Sequence, residues 1–181
     1  MSEKDRIRWD AAHAGRDPGD EVPALPQVFS GRADLFPVAG SALDIACGTG
    51  RGAVWLAQRG LRVWGLDVSG VAIDRANALA ERCGISDGCR FDVVDLDEGL
   101  PPGPPVDVVL CHRFRDPGLY PALAARLRPG GLLAICVLSE VGAEAGRFRA
   151  VAGELVAAFV ELELIASGEG DGEAWLLARA R

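Results

Sequence analysis

The chain has 181 residues, 49% of them hydrophobic and 25% charged, and a formal net charge of −7. This balance predicts one soluble globular domain, and the acidic charge argues against nucleic acid as a substrate. No apolar run reaches membrane-spanning length, and no apolar signal core follows the charged start, so we expect a cytoplasmic protein without a membrane partner. The five cysteines form no C-x-x-C pair, which argues against a disulfide framework and against a bound metal.

The first predicted element is a short buried strand, Leu43–Ala46, that runs into a glycine-rich turn and a helix. Because the glycines at 48, 50 and 52 lack Cβ atoms, a ligand can lie against the backbone. The helix that follows presents unpaired N–H groups, which suits an anionic or carboxylate-bearing ligand. A dinucleotide site needs the spacing G-x-G-x-x-G, whereas this turn reads G-x-G-x-G. Asp44 would repel a pyrophosphate but could bind an ammonium group.

This acid and glycine pattern resembles the first motif of the class I S-adenosylmethionine-dependent methyltransferases. The resemblance implies an α/β fold of Rossmann-like type, with helices on both faces of a seven-stranded, mostly parallel sheet that ends in an antiparallel hairpin. It also implies S-adenosylmethionine as cofactor and S-adenosylhomocysteine as product, with Asp44 near the methionyl ammonium and Arg51 near the methionyl carboxylate. The other cofactor contacts expected in this motif are Ala46, Cys47, Gly48 and Gly50.

A second strand, Arg62–Leu66, ends at Asp67, which stands 19 positions after Gly48. The ribose-binding acid of a βαβ nucleotide site belongs at this spacing, since an ionised carboxylate accepts hydrogen bonds from both ribose hydroxyls. Val68 is the next expected cofactor contact. Ser69 is a typical N-cap for a helix predicted over Gly70–Cys83.

The third predicted strand, Cys89–Val94, is followed by a loop that resembles the adenine motif of the same family. The resemblance implies that the Asp95 side chain accepts from the adenine amino group and that the Leu96 N–H donates to the ring. Asp97 is close enough to exchange roles with Asp95. The alternative is an acidic loop that only faces solvent.

A fourth strand, Val106–Cys111, leads into the segment C-H-R-F. Ligands of open α/β sheets lie at the carboxyl ends of the strands, so Cys111 should contact the cofactor and this segment should face the reacting methyl group. His112 is the candidate general base, because its unperturbed pKa lets it be neutral near pH 7, or it only hydrogen-bonds the loop. Arg113 and Arg115 either bind an anionic substrate or face solvent.

The last third of the chain completes the predicted sheet. Leu127–Gly131 should end a helix, because Pro129 blocks its continuation. The segment Ser139–Ala152 follows the fifth strand and is expected to be a mobile substrate lid. The remaining predicted elements are a strand Leu132–Leu138, a helix Glu154–Ala158 and two antiparallel strands, Phe159–Ser167 and Glu173–Ala180.

The N-terminal segment resembles a narrower branch of the family. Residues 9–13 read W-D-A-A-H and are similar to the W-D-x-x-Y segment that folds over the cofactor in small methyltransferases of the tellurite-resistance and thiopurine types, with His13 at the tyrosine position. The resemblance implies a helical cap over residues 1–40 and an S-adenosylmethionine-binding domain over residues 41–181. Trp9 either contacts the cofactor or anchors the N-terminal helix.

These patterns predict a methyltransferase that acts on a small molecule through a soft sulfur, selenium or tellurium atom or a hydroxyl. Methyl transfer is an in-line displacement, so positioning and desolvation can carry much of the rate without a catalytic base. Two alternatives remain, namely a nicotinamide-dependent Rossmann oxidoreductase, which shares Asp67, and a non-catalytic protein that binds S-adenosylmethionine. The sequence leaves the substrate and the oligomeric state open.

Overall fold

The computed structural model describes residues 3–14 and 21–181 of the chain. Residues 1–2 and 15–20 of the predicted cap lie outside the described residues. The chain divides into two compact units, Met1–Gly99 and Leu100–Arg181. The helices are α1 Glu3–Ala14, α2 Arg51–Gln58, α3 Gly70–Arg82, α4 Tyr120–Ala125 and α5 Glu154–Ala158, with a 3₁₀ segment Gln27–Leu35 before the first strand. The strands are β1 Gly40–Ile45, β2 Leu61–Asp67, β3 Cys89–Val93, β4 Val106–His112, β5 Leu127–Leu138, β6 Glu163–Gly170 and β7 Glu173–Arg179.

The first unit contains three parallel strands in the order β3-β2-β1. Parallel pairing brings the carboxyl ends of the strands to one edge, so the three loops that follow them lie side by side. Two backbone bonds fix this arrangement: the Cys47 N–H donates to the Leu66 carbonyl at 2.9 Å, and the Val94 N–H donates to the Asp67 carbonyl at 2.8 Å. The Ser69 side chain accepts from the Ala72 N–H at 3.1 Å, so the predicted N-cap of α3 is confirmed.

The second unit contains four strands in the order β4-β5-β7-β6. β4 and β5 are parallel, whereas β7 is antiparallel to both β5 and β6. The register places His112 beside Cys136, Cys136 beside Trp175 and Leu138 beside Glu173. The predicted seven-stranded, mostly parallel sheet with a C-terminal antiparallel hairpin is confirmed. In residues 3–14 and 21–181, no helix combines the length and the apolar character that crossing a membrane requires.

Several predicted boundaries differ from the structure, and three of them are wrong for identifiable reasons. Leu127–Gly131 does not end a helix; it starts β5, because the Gly130 N–H and the Gly131 carbonyl bond to the backbone of Ala180, the residue that follows β7. β6 begins at Glu163 rather than at Phe159, since the buried Phe159 ends α5 and its carbonyl accepts from the Leu162 N–H. His112 is the last residue of β4 and not the first residue of the loop.

Candidate functional site

The turn after β1 has an unusual backbone. The φ angles of Ala46, Gly48 and Gly50 are +50°, +53° and +77°. For Ala46 this left-handed conformation is strained, and such strain is concentrated at ligand-binding sites. The Gly50 N–H donates to the Cys47 carbonyl at 3.0 Å and closes the turn before α2 begins.

The first two glycines of the turn serve different purposes. A Cβ atom built on Gly48 would meet only His13 Cε1, at 3.7 Å, so this face of the turn is open. A Cβ atom on Gly50 would lie 2.7 Å from Ala76 Cβ and 3.1 Å from Phe91 Cζ. Gly50 therefore allows α3 to pack against the turn, while Gly48 leaves backbone accessible to a ligand.

Asp67 is positioned by the backbone around it. Its Oδ2 accepts from the Gly48 N–H at 2.8 Å, and its Oδ1 accepts from the Ser69 N–H at 2.9 Å. Asp67 and Val68 are buried. An ionised carboxylate has about four acceptor positions, so these two bonds leave room for the hydroxyls of a ribose. Asp67 thus joins the glycine turn to the loop after β2.

Asp44 lies in β1, directly beneath the turn, and only 3% of it is exposed. Burial raises the pKa of the Asp44 carboxyl to about 8, and a hydrogen bond from the Ala53 N–H opposes this only partly. The neighbouring Asp67 carboxylate adds to the rise in pKa. Near pH 7 the carboxyl of Asp44 is therefore largely protonated, and a cationic ligand group beside it would favour release of the proton.

We expect Asp44 to make the protein less stable as the pH rises. Its pKa in the folded state is above its unfolded value, so its stabilising effect is complete below about pH 4 and is lost as the pH rises through about 8. Between these two pH values the free energy of unfolding falls by up to about 1.4 kcal/mol per pH unit through this group. Urea unfolding of the wild type should therefore show about 1 kcal/mol less stability at pH 7 than at pH 6 through this group. The Asp44→Asn variant should lack this loss, and equal slopes for the two proteins would disprove the assignment.

The loop after β3 carries the predicted adenine contacts. The Asp95 side chain caps the short 3₁₀ turn Leu96–Glu98 and accepts from the Asp97 N–H at 3.0 Å. Leu96 is buried and Asp95 is half-buried, whereas Asp97 is exposed. Since Val94 bonds to the Asp67 carbonyl, this loop lies directly beside the predicted ribose site.

Helix α1 is attached to α3 by polar contacts. The Ser69 hydroxyl donates to Asp10 Oδ1 at 2.5 Å, and this hydrogen bond lowers the pKa of the Asp10 carboxyl. The buried Arg75 donates to the His13 carbonyl. Trp9 is 41% exposed, so it is not a buried anchor; Asp10 and Arg75 hold the helix instead.

Asp10 and Arg75 have no role in the sequence patterns, and His13 stands out there only as a departure from the family pattern. The helix brings His13 beside the open face of Gly48, one turn beyond Trp9. The i, i+4 spacing of Trp9 and His13 was the available signal, since it places both rings on one helix face. Arg51, the predicted carboxylate partner, donates from Nε to the Val22 carbonyl at 2.8 Å.

The candidate catalytic residues lie at the carboxyl end of β4. Cys111 is buried, and its thiol donates to the Phe114 carbonyl at 3.3 Å. His112 is half-buried. Arg113 has a φ of +59°, and its guanidinium donates from Nε and Nη2 to Oε1 of Glu173, at 3.2 and 2.9 Å. The charge of Arg113 is therefore balanced within this unit, although its side chain is 63% exposed.

Arg115 is a structural residue. Its guanidinium makes two bonds to Glu154, at 2.7 and 2.6 Å, and the Tyr120 hydroxyl donates to the same carboxylate at 3.0 Å. These bonds lower the pKa of Glu154 and fix the start of α5. Both charged side chains of the pair are less than one-fifth exposed, so Arg115 is committed to Glu154 rather than to a substrate.

The predicted lid, Ser139–Ala152, is attached at its base. The Arg149 guanidinium donates to the carbonyls of Ser139 and Gly172, at 2.6 and 3.1 Å. The Ala150 N–H donates to the Leu138 carbonyl at 2.8 Å. The tip, residues 142–148, is exposed, including Phe148, and so are residues 151–152. Mobility of this tip remains a prediction.

Residues 42–131 match a protein family described as a methyltransferase domain. Over 116 residues the chain is 35% identical to the tRNA 5-carboxymethoxyuridine methyltransferase of Escherichia coli K12. That match covers 61% of this chain and 44% of the relative, so the chain spans less than half the length of that protein.

Two solved structures share the fold. TehB from Haemophilus influenzae superposes with a TM-score of 0.77 at 18% identity, covering 90% of this chain and 64% of that one. A methyltransferase from Geobacter sulfurreducens in complex with S-adenosylhomocysteine superposes with a TM-score of 0.68 at 22% identity, and the match covers 92% of this chain and 74% of that one. At these identities the likeness shows the fold alone. Combined with the family match and the turn that joins Asp44 to Gly48 and Asp67, it identifies the chain as a member of the class I S-adenosylmethionine-dependent methyltransferases, enzymes whose cofactor is S-adenosylmethionine.

Proposed function

We propose that this chain transfers a methyl group from S-adenosylmethionine to a small molecule. The observation that carries the proposal is the open backbone at Gly48, with a buried carboxyl, Asp44, below it and the carboxylate of Asp67 bonded to its N–H. These groups fit the ammonium and the ribose of S-adenosylmethionine. When bound, the cofactor supplies a methyl group on positively charged sulfur, which is activated for displacement.

The chain's own residues would bind and orient the cofactor. Asp44 would accept a hydrogen bond from the methionyl ammonium, and Asp67 would accept from the ribose hydroxyls. Asp95 would accept from the adenine amino group, and the Leu96 N–H would donate to the adenine ring. The burial of Asp44 and Asp67 and the backbone hydrogen bonds that Asp67 and Asp95 accept support these roles. The further contacts in this proposal are Trp9, Ala46, Cys47, Gly50, Arg51, Val68 and Cys111.

The same proposal assigns residues 41–181 to the cofactor-binding domain and residues 1–40 to its cover. Its support is the contact of Asp10 with Ser69 and the position of His13 beside Gly48. These contacts support the proposal, because both lie at or beside the turn that would hold the cofactor.

For the substrate we propose a small molecule that carries a sulfur, selenium, tellurium or hydroxyl nucleophile. The net charge of −7 supports this class over a polyanion, since contact with phosphates relies on Lys and Arg. His112 would accept a proton from a hydroxyl or thiol, and the exposed Arg113 would contact an anionic group. All five cysteines are free thiols, which favours a reducing compartment such as the cytoplasm.

A tRNA substrate is the second candidate, because the E. coli relative that is 35% identical carries that activity in its name. Methyl transfer from labelled S-adenosylmethionine to thiols, selenite, tellurite, phenols and bulk tRNA separates the two candidates. Transfer to tRNA alone would overturn the small-molecule proposal. Cofactor binding without transfer to any acceptor would favour the non-catalytic alternative.

We expect S-adenosylhomocysteine to bind with low-micromolar or better affinity, about −8 kcal/mol. The Asp67→Ala variant should lose about 1 to 3 kcal/mol of this binding free energy, because the ribose hydroxyls and the Gly48 N–H lose their acceptor. Titration calorimetry measures both values. Asp74→Ala on the exposed side of α3 is the control and should bind as the wild type does. A wild-type protein that binds NADH but not S-adenosylhomocysteine would support the oxidoreductase alternative.

A further inference from the structure

Three potential metal ligands meet at the carboxyl end of β4 although they are distant in sequence. A His112 ring nitrogen, Cys136 Sγ and a Glu173 carboxylate oxygen all lie within 4.8 Å of one another. They come from three strands that are neighbours in the sheet, β4, β5 and β7. The strand register puts all three side chains on one face, because His112 pairs with Cys136, and Glu173 pairs with Leu138 two residues further along β5.

The chemistry of this set suits a borderline-soft divalent cation. Imidazole, thiolate and carboxylate are all zinc ligands, and three protein ligands with one open position are typical of catalytic zinc sites. A thiolate and a carboxylate together balance the two positive charges of the ion. A sulfur ligand argues against Mg²⁺ and Ca²⁺, which prefer oxygen.

The surroundings of the cluster also fit a bound ion. Both bonds from Arg113 reach the same oxygen of Glu173, Oε1, so they orient the carboxylate and leave Oε2 for an ion. Cys136 is fully buried, while His112 is half-buried and the Glu173 side chain is 26% exposed, so the cluster can be reached from the side of these two residues.

The separations need only a small adjustment. Metal–ligand bonds of about 2.0 to 2.3 Å require the ligand atoms to approach one another to about 3.5 Å, so no separation has to close by more than about 1.3 Å. Rotation of the His112 and Glu173 side chains can supply this change, because neither is fully enclosed.

We propose that His112, Cys136 and Glu173 bind one divalent transition-metal ion, with Zn²⁺ as the best match. Binding forms a metal–sulfur bond in place of the S–H bond of Cys136, and the released proton passes to the buffer. The proposal goes beyond methyl transfer and does not depend on it.

Co²⁺ titration of the full chain, freed of metal and kept in a reductant without thiols, tests the proposal. We expect one Co²⁺ per chain, a thiolate-to-cobalt charge-transfer absorption, and displacement by Zn²⁺. Cys136→Ser should abolish the charge-transfer absorption and weaken Zn²⁺ binding by at least about 100-fold, since even residues that only support a ligand cost 10- to 100-fold.

Cys83→Ser is the matched control, because Cys83 lies outside the cluster and should leave the absorption unchanged. His112→Gln serves as a second test if Cys136→Ser does not fold, and it should weaken Zn²⁺ binding while the absorption loses intensity. A wild-type protein that gives no charge-transfer absorption overturns the proposal, as does a folded Cys136→Ser or His112→Gln variant that binds Zn²⁺ as the wild type does.

Discussion

Replacement of Gly48 by valine should abolish binding of S-adenosylhomocysteine and leave a cooperatively folded protein. The Gly48 Cα faces open space beside His13, so a branched side chain there would occupy the volume that a ligand needs against the backbone. The φ of +53° also resists a β-branched residue and would shift the turn. We expect a loss of at least about 1000-fold in affinity, or about 4 kcal/mol, in titration calorimetry.

Two other glycines make this test specific. Gly84, just beyond α3, has a φ of +66° with no atoms near the position of a Cβ, so Gly84→Val carries similar backbone strain without blocking a ligand. It should bind S-adenosylhomocysteine normally. Gly50→Val should instead lose stability, because its side chain would collide with Ala76 and Phe91. Normal binding by Gly48→Val would show that the cofactor lies elsewhere.

Replacement of His112 by alanine should slow methyl transfer to a hydroxyl by about 10,000-fold, but transfer to a soft nucleophile by no more than about 100-fold. A hydroxyl must lose its proton in the reaction, whereas a chalcogen anion needs little help. Steady-state kinetics with phenol, thiol, selenite and tellurite acceptors measure both ratios. The assays should contain a chelator, so that no ion at His112 contributes.

Arg113→Ala is the contrasting variant for this experiment. If Arg113 contacts an anionic substrate, its loss should raise KM and leave cofactor affinity little changed. The ion pair with Glu173 is exposed on the arginine side, so its loss should have little effect on stability. An unchanged rate for His112→Ala with every acceptor would remove His112 from the proposed chemistry.

Local patterns in the sequence were sufficient to predict the elements around the proposed cofactor site. The strand, acid and glycine turn from Asp44 to Gly50 specify a backbone that only small residues permit, and the spacing to Asp67 follows from the geometry of a βαβ unit. Ser69 and α3 were predictable for the same reason, since capping and helical periodicity act within a few residues. The boundary errors at Leu127–Gly131 and Phe159 arose where long-range pairing overrode these local signals.

The sequence by itself determined the fold class and the family, and it predicted which loops would face a ligand. Only the tertiary structure decided which side chains are available there. It commits Arg115 to Glu154, pairs the exposed Arg113 with Glu173, and assigns Gly50 to helix packing. It also assembles His112 with Cys136 and Glu173, a cluster that no C-x-x-C spacing marks in the sequence. These contacts depend on strand register and on partners 24 or more positions apart, and no local spacing encodes them.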